Sequence, residues 1–129
     1  MKTRLYVVAL MIAVIGLSGC PTKPPKSDNN NVKELTVNGV KYDPSNSDFV
    51  KIYQKTGADT WKDMPSGSSV PAIITLSDKT AKLDPANVTL DFSKLVLGSV
   101  TTVGSFKVIA ENGDTKTYTV KVTKNNNDY

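Results

Sequence analysis

Apolar residues recur at every second position in six segments of the chain between residues 34 and 124. These segments contain Leu35 and Val37; Val50 and Ile52; Ala72, Ile74 and Leu76; Val88, Leu90 and Phe92; Phe106, Val108 and Ala110; and Tyr118, Val120 and Val122. A period of two places one set of side chains on one face of a β-strand. Turn-forming sequences separate the segments, namely Asn38-Gly39, Asp43-Pro44, Pro65-Ser66-Gly67, Asp84-Pro85 and Asn112-Gly113. No helix-length amphipathic pattern competes, so the sequence predicts an all-β domain over residues 34–124, either a sandwich or a small barrel.

The first Asn-Gly turn predicts a tight hairpin. A two-residue loop at Asn38-Gly39 pairs Val37 with Val40 and Leu35 with Tyr42, and both pairs are apolar. Asn-Gly is the preferred sequence of a type I′ turn, because both of its residues adopt positive φ. We therefore expect a type I′ hairpin here.

The second Asn-Gly turn predicts a longer loop. A two-residue loop at Asn112-Gly113 would set the apolar residues of one strand against the polar residues of the other, since a shift of one residue reverses the faces. A three-residue loop over 111–113, with Gly113 in the left-handed conformation, instead places Phe106 opposite Tyr118. We predict a hairpin with a G1 bulge.

Three stretches of the chain resemble a known family. They are KELTVNGVKY (33–42), VPAIITLSD (70–78) and GSFKVIAENGDTKTYTVKVTK (104–124). They look like the small immunoglobulin-like repeats of bacterial surface lipoproteins that are common in Bacteroidetes. In that family Ala-Glu-(Asp/Asn)-Gly precedes Lys-Thr-Tyr-Thr-Val-x-Val, which residues 110–113 and 116–122 match here. The resemblance implies an immunoglobulin-like β-sandwich of about seven strands and supplies no catalytic residues.

The beginning of the chain has the pattern of an export signal. Lys2 and Arg4 precede an unbroken apolar run over residues 5–15. A helix needs about 20 residues to cross a bilayer, so this run is too short for a transmembrane anchor and fits the apolar region of a signal peptide. Loss of its two cations would lower the formal net charge of +4 by two, which weakens the case for a nucleic-acid partner.

The end of this signal resembles the lipobox of bacterial lipoproteins. Its sequence is Leu17-Ser18-Gly19-Cys20, and Cys20 is the single cysteine of the chain. The resemblance implies a signal peptide over 1–19, cleavage between Gly19 and Cys20, and a lipid on Cys20 that binds the membrane. In inner-membrane lipoproteins of the enterobacterial type, Asp directly follows the lipidated cysteine. Here Pro21 follows Cys20, so we expect the outer membrane.

Polar segments flank the predicted domain. Residues 20–33 contain three prolines and three consecutive asparagines, and residues 125–129 are polar. Such segments bury too little apolar surface to offset the entropy of ordering them. We expect a flexible tether over 20–33, a frayed tail over 125–129, and a monomeric domain between them.

Several classes of chemistry are excluded by the residues. The chain has no histidine, so it has neither a Ser-His-Asp triad nor a histidine metal ligand. It lacks the G-x-S-x-G and phosphate-loop motifs. Residues 43–48 carry several oxygen ligands but not the order of a calcium-binding loop. We therefore expect no cofactor, no metal ion and no enzymatic activity.

One cluster is a candidate for ligand contacts. Asp59 and Asp63 flank Trp61, and Tyr53 lies six residues before Asp59, next to Ile52 of a predicted strand. Exposed aromatic residues give a large contact area at a low entropic cost. The alternative is a loop with two solvated acids and one Trp packed on the edge of the domain.

Together these features predict a lipid-anchored binding or spacer module of the bacterial envelope. It would contact a protein or a glycan without catalysis. Two alternatives remain at this stage. One is an exclusion lipoprotein of the kind that phages and plasmids encode to block an envelope receptor. The other is an envelope enzyme that uses Asp59 and Asp63.

Overall fold

The computed structural model of the chain describes residues 24–127 and is all-β. The predicted signal peptide, its cleavage site and Cys20 lie outside the described residues. The strands are β1 (Val32–Val37), β2 (Val40–Ser45), β3 (Asp48–Gln54), β4 (Ser69–Leu76), β5 (Lys82–Asp84), β6 (Val88–Asp91), β7 (Val100–Ile109) and β8 (Thr115–Asn125). Within this part of the chain no helix is long and apolar enough to cross a membrane.

The eight strands form one curled sheet in the order β5-β7-β8-β3-β2-β1-β4-β6. Neighbouring strands are antiparallel except for β3 and β8, which run parallel from Asp48 beside Thr119 to Gln54 beside Asn125. The sheet curls at β2, because the first half of β2 pairs with β1 and its second half pairs with β3. The curl brings β6, at one end of the order, into contact with β7 near the other end.

The core lies inside this curl and is built from one face of nearly every strand. Its buried side chains are Leu35, Val37, Tyr42, Phe49, Tyr53, Val70, Val88, Leu90, Phe92, Val103, Phe106, Val108, Tyr118, Val120 and Val122. Three aromatic rings pack together in this core, with centroids 5.4 Å apart for Phe106 and Tyr118 and 5.5 Å apart for Phe49 and Tyr118. Aromatic pairs at such separations add stabilisation beyond the burial of their area.

Both predicted hairpins are confirmed. Val37 pairs with Val40 and Leu35 with Tyr42 across Asn38 and Gly39, whose φ angles are 49° and 81°. In the second hairpin Phe106 pairs with Tyr118. Two backbone hydrogen bonds of Ala110 close its three-residue loop. The Ala110 N–H donates to the Asp114 carbonyl at 2.8 Å, and the Ala110 carbonyl accepts from the Gly113 N–H at 3.0 Å.

The core face of β3 is not the one that carries the alternating residues Val50 and Ile52. The alternation suggested that Val50 and Ile52 point inward, but Ile52 is 54% exposed and Phe49 and Tyr53 are buried. Phe49 lies beside the buried Val120 of β8, and this parallel register decides which face points inward. Both sets of alternate positions in β3 contain apolar residues, so the local pattern was ambiguous.

Strand β5 was not predicted, because its three residues include Leu83 as the only apolar side chain. At the two ends of the domain, β1 begins two residues before the predicted start at Glu34, and β8 continues one residue beyond Lys124.

Candidate functional site

The N-terminal segment before β1 lies against one end of the domain. We call residues 27–31 the strap and this end the strap end, which also contains the β4–β5 loop and the tip of the β7–β8 hairpin. The Asn112 N–H donates to the Ser27 carbonyl at 3.0 Å, and the Ser77 N–H donates to the Asn31 carbonyl at 2.9 Å. The strap therefore bonds to two separate loops, although its residues fall within the predicted tether.

Tyr118 holds the strap from the core side. Its hydroxyl donates to the Asn30 carbonyl at 3.1 Å and accepts from the Val32 N–H at 3.2 Å. The hydroxyl of Ser27 donates to the carboxylate of Asp78. This bond, together with those from Thr80, lowers the pKa of Asp78 below its ordinary value. The domain thus forms hydrogen bonds with both side-chain and backbone groups of the strap.

The predicted ligand contacts lie at the opposite end. We call it the groove end; it contains the β1–β2 turn, the β3–β4 connection, the β6–β7 connection and the end of β8. Trp61 lies in the β3–β4 connection, where it forms an isolated antiparallel bridge with Lys55. The Lys62 N–H donates to the Gln54 carbonyl at 3.0 Å. These bonds fold the segment after β3 back onto that strand.

Trp61 is half-buried and packs against the core. The ammonium of Lys124, in β8, lies 4.9 Å from the centroid of its ring. A cation at this distance from an indole ring is attracted to it electrostatically. Part of the ring is therefore engaged by the protein itself.

Asp59 and Asp63 occupy backbone positions that restrict the choice of residue. Their φ angles are 60° and 52°, in the left-handed region. Asp and Asn tolerate this region better than other residues with a Cβ. Both acids are exposed, and their backbone conformation alone accounts for a short polar residue at each position.

Tyr53 lies in the core rather than on a surface that a ligand could reach. It is 1% exposed, and its hydroxyl hydrogen-bonds the hydroxyl of Tyr42 at 3.1 Å. Burial raises the pKa of Tyr53; the Tyr42 hydrogen bond lowers it, and the nearby charge of Asp63 raises it further. The pKa of Tyr42 is also raised, chiefly by burial. The two phenols remain neutral and join β2 to β3.

An open groove of about 540 Å³ lies at the groove end. It is lined by Asn38, Gly39, Val40, Lys41, Lys51, Asp63 and Met64. A smaller depression of about 230 Å³ adjoins it and shares Lys51 and Asp63. Of the predicted contact residues, the structure brings only Asp63 to this groove.

The groove carries more positive than negative side chains. Lys41 is paired with Glu34 at 3.1 Å, and this partner lowers the pKa of Glu34. Lys51 makes no ion pair within residues 24–127. Sequence reasoning missed both lysines, because lysines are scattered along the chain and their approach depends on how β2, β3 and the β3–β4 connection meet.

Exposed apolar side chains also lie at the groove end. Ile52 and Val100 are 54% and 64% exposed. They lie in β3 and β7, the two strands that flank β8, and each is the register partner of Thr123 in β8. Val96 and Leu97, in the β6–β7 connection, are 58% and 51% exposed. The backbone of this connection is joined to β8 by a bond from the Gly98 N–H to the Lys124 carbonyl at 2.7 Å.

The segment considered for calcium forms the β2–β3 hairpin. Ser45 pairs with Asp48 across its turn, and Asp48 bonds Lys121 and Thr119 of β8. In the described part of the chain no group of three or more Asp, Glu, His or Cys residues is arranged to hold a metal ion.

Comparison with known proteins gives no relative from which a function could be transferred. No family model, curated protein or solved structure matches this chain.

Proposed function

We propose that this chain is a lipid-anchored, non-catalytic binding module of the bacterial envelope, and that its ligand contacts the groove end. The lipobox-like sequence ending at Cys20 supports the anchor. The observation that carries the binding role is the difference between the two ends of the domain. One end bonds the segment that leads to Cys20, and the other carries the open, lysine-bearing groove.

The strap supports a close and oriented attachment. If the strap stays bound, only residues 21–26 separate the lipidated cysteine from the domain, and six residues reach at most about 20 Å. Because the strap leaves from the strap end, that end would face the bilayer. The groove end would then face away from it, where an envelope partner can approach. The outer membrane is our proposed location.

The fold that we propose for this module is an immunoglobulin-like sandwich. Two features support it: the strands on either side of β2 lie around one core, and β6 contacts β7 across the curl. Sandwiches of this class carry their binding loops at the ends of the strands. The groove end is such a cluster of loops.

The lining of the groove favours an anionic glycan as the ligand. Amide and ammonium groups donate hydrogen bonds to hydroxyls and carboxylates, and the Asp63 carboxylate accepts them from hydroxyls. Tryptophan, tyrosine and arginine, the residues enriched among the binding hot spots of protein interfaces, do not line the larger groove, whose apolar side chains are Val40 and Met64. Lys51 supplies a positive charge that no acid of residues 24–127 pairs with.

Mass spectrometry of the native protein tests the anchor. We expect a polypeptide that begins at Cys20 and carries fatty acyl mass. A Cys20→Ser variant should leave the membrane fraction. A native product that retains its first methionine, or has no acyl group, would exclude lipid anchoring.

Binding to an acidic polysaccharide tests the ligand class. We would titrate the mature chain in detergent with polygalacturonate, using the methyl-esterified polymer as the neutral control. Lys51→Ala should weaken binding about ten- to a hundredfold, since a charge-assisted hydrogen bond contributes about 1.5–3 kcal/mol. Lys82→Ala, at an exposed position of β5 near the strap end, should leave binding unchanged. Equal loss of binding in both variants, or equal binding of the neutral polymer, would contradict an anionic glycan as the ligand. Hydrolysis of either polymer would contradict a non-catalytic role.

Protease treatment of intact cells tests the location. Loss of the domain would indicate the cell surface and a partner outside the cell. Protection, followed by digestion after the outer membrane is opened, would indicate a periplasmic partner. The outer-membrane proposal itself fails if the protein fractionates with the inner membrane.

A further inference from the structure

The described part of the chain contains two Asn-Gly sequences, and their local structures differ. Asn38-Gly39 forms the β1–β2 turn and Asn112-Gly113 lies in the β7–β8 loop. Both asparagines are exposed to solvent. In Asn-Gly sequences the side-chain amide can react with the backbone nitrogen of the following glycine, because glycine has no Cβ to hinder the approach. The two sites allow a comparison within one molecule.

At the second site the fold engages every group that the reaction needs. The side-chain amide of Asn112 donates to the Asp114 carboxylate at 2.8 Å and accepts from the Asp114 N–H at 2.8 Å. The attacking nitrogen, that of Gly113, donates to the Ala110 carbonyl at 3.0 Å. The Asn112 N–H is bonded to Ser27 of the strap. Reaction at Asn112 therefore requires several hydrogen bonds to break.

At the first site these constraints are absent. Within residues 24–127 neither the side-chain amide of Asn38 nor the backbone N–H of Gly39 makes a hydrogen bond. The ladder bonds of the hairpin belong to the flanking residues Val37 and Val40. The amide can therefore change rotamer, and the glycine nitrogen is available, without loss of a protein hydrogen bond.

We propose that Asn38 is a site of spontaneous deamidation and that the fold protects Asn112 from the same reaction. The deprotonated Gly39 nitrogen attacks Cγ of Asn38, the new C–N bond closes a succinimide ring, and the side-chain nitrogen leaves as ammonia. One water molecule then opens the ring and gives Asp or isoaspartate at position 38. No enzyme, oxidant or cofactor takes part.

The reaction would change the groove. Asn38 lines it together with Lys41 and Lys51, so the product introduces a carboxylate among these lysines. Isoaspartate also adds a methylene group to the main chain of a two-residue turn. The buried Val37 lies directly beside this turn, and we expect the isoaspartate form to be less stable than the Asp form.

Ageing of the purified chain in mildly alkaline buffer tests the proposal. Trypsin gives each site its own peptide, residues 34–41 and residues 108–116, with one asparagine in each. We expect the gain of about one dalton to accumulate several-fold faster in the first peptide. An unchanged first peptide, or equal or faster reaction in the second, would overturn the proposal.

Two controls separate the fold from the local sequence. In concentrated urea the difference between the two peptides should nearly disappear, because the hydrogen bonds that protect Asn112 are lost. In the folded chain Asp114→Ala removes the carboxylate that accepts from the Asn112 amide, and it should speed reaction at Asn112 several-fold while the Asn38 rate stays the same. A difference that persists unchanged in urea would mean that the neighbouring residues, and not the structure, set the rates.

Discussion

Gly104 in β7 lies where the two ends of the curled sheet meet. A Cβ at this position would be 2.7 Å from Cδ2 of Leu90 and 3.4 Å from the carbonyl oxygen of Thr89, both in β6. Leu90 is fully buried, so its side chain has little room to move aside. The missing side chain of Gly104 is thus what allows β6 to contact β7. The sequence around Gly104 gives no sign of this role.

Gly104→Ala should lower the free energy of unfolding by about 1–3 kcal/mol, the usual cost of overfilling a packed core. Urea denaturation followed by fluorescence measures the change. Ser105→Ala, at the next and exposed position of β7, is the matched control and should differ little from the wild type. An equally stable Gly104→Ala protein would mean that β6 and β7 are less tightly packed.

Asp48 connects β3 to β8 and gives stability a dependence on pH. Its Oδ2 accepts from Lys121 Nζ at 2.8 Å, and Thr119 also bonds its carboxylate. The Lys121 hydrogen bond, followed by that of Thr119, lowers the pKa of Asp48 in the folded chain. A carboxyl whose pKa is lower in the folded state stabilises the fold above its unfolded pKa.

We therefore expect the urea midpoint to fall as the pH drops from the ordinary carboxyl pKa, about 4, through the lower folded pKa of Asp48. Asp48→Asn should reduce this acid dependence, and added salt should weaken it because the pair is partly exposed. Asp43→Asn, which alters an acid of β2 that makes no ion pair within residues 24–127, is the control. If both variants keep the full acid dependence, the Asp48–Lys121 pair does not carry it.

At the scale of elements, the hairpins were predictable and the partners of most strands were not. Asn-Gly turns and apolar pairs determine a hairpin within about ten residues, and both were predicted with their register. The alternation of Val50 and Ile52 does not mark the core face of β3, because that face depends on β8, which is distant in sequence. The strap contains no alternating apolar residues, and its position depends on a hydrogen bond from the Tyr118 hydroxyl of β8.

Tyr118→Phe tests that dependence. It removes two hydrogen bonds to the backbone around the strap but keeps the aromatic ring of the core, so we expect a loss of about 1–3 kcal/mol in the free energy of unfolding. Hydrogen exchange should become faster at the amides of residues 31–32. Tyr42→Phe, which removes a hydroxyl from the tyrosine pair, should leave exchange in the strap unchanged. Unaltered exchange in Tyr118→Phe would show that the loops hold the strap without Tyr118.

At the scale of the whole molecule, the strap decides where the domain begins. Lys26 is exposed and precedes the strap, whereas Lys33 lies in β1, between β2 and β4 in the sheet. A protease needs an extended segment free of such pairing, so brief digestion with trypsin should cut after Lys26 before Lys33. We expect a resistant product that begins at Ser27, identified by its mass. A first product that begins at Glu34 would contradict the bound strap.

The candidate site shows the same division between local and distant information. Trp61 and Asp63 could be singled out from the sequence, because an aromatic residue between acids marks an unusual loop. Tyr53 looked equally suitable but is buried beside Tyr42. The lysines of the groove could not be selected, since each is one of many along the chain, and only the meeting of β2, β3 and the β3–β4 connection brings Lys41, Lys51 and Asp63 to one place.

By itself the sequence determined the all-β class, most of the inward faces and both Asn-Gly hairpins. These features depend on alternation and turn preference, which act between residues close in the chain. Only the tertiary structure decided the parallel pairing of β3 with β8, the contact of β6 with β7 at Gly104, the bound strap and the lining of the groove. Each of these joins residues far apart in sequence, and their packing and hydrogen bonds arise only when the sheet has curled around its core.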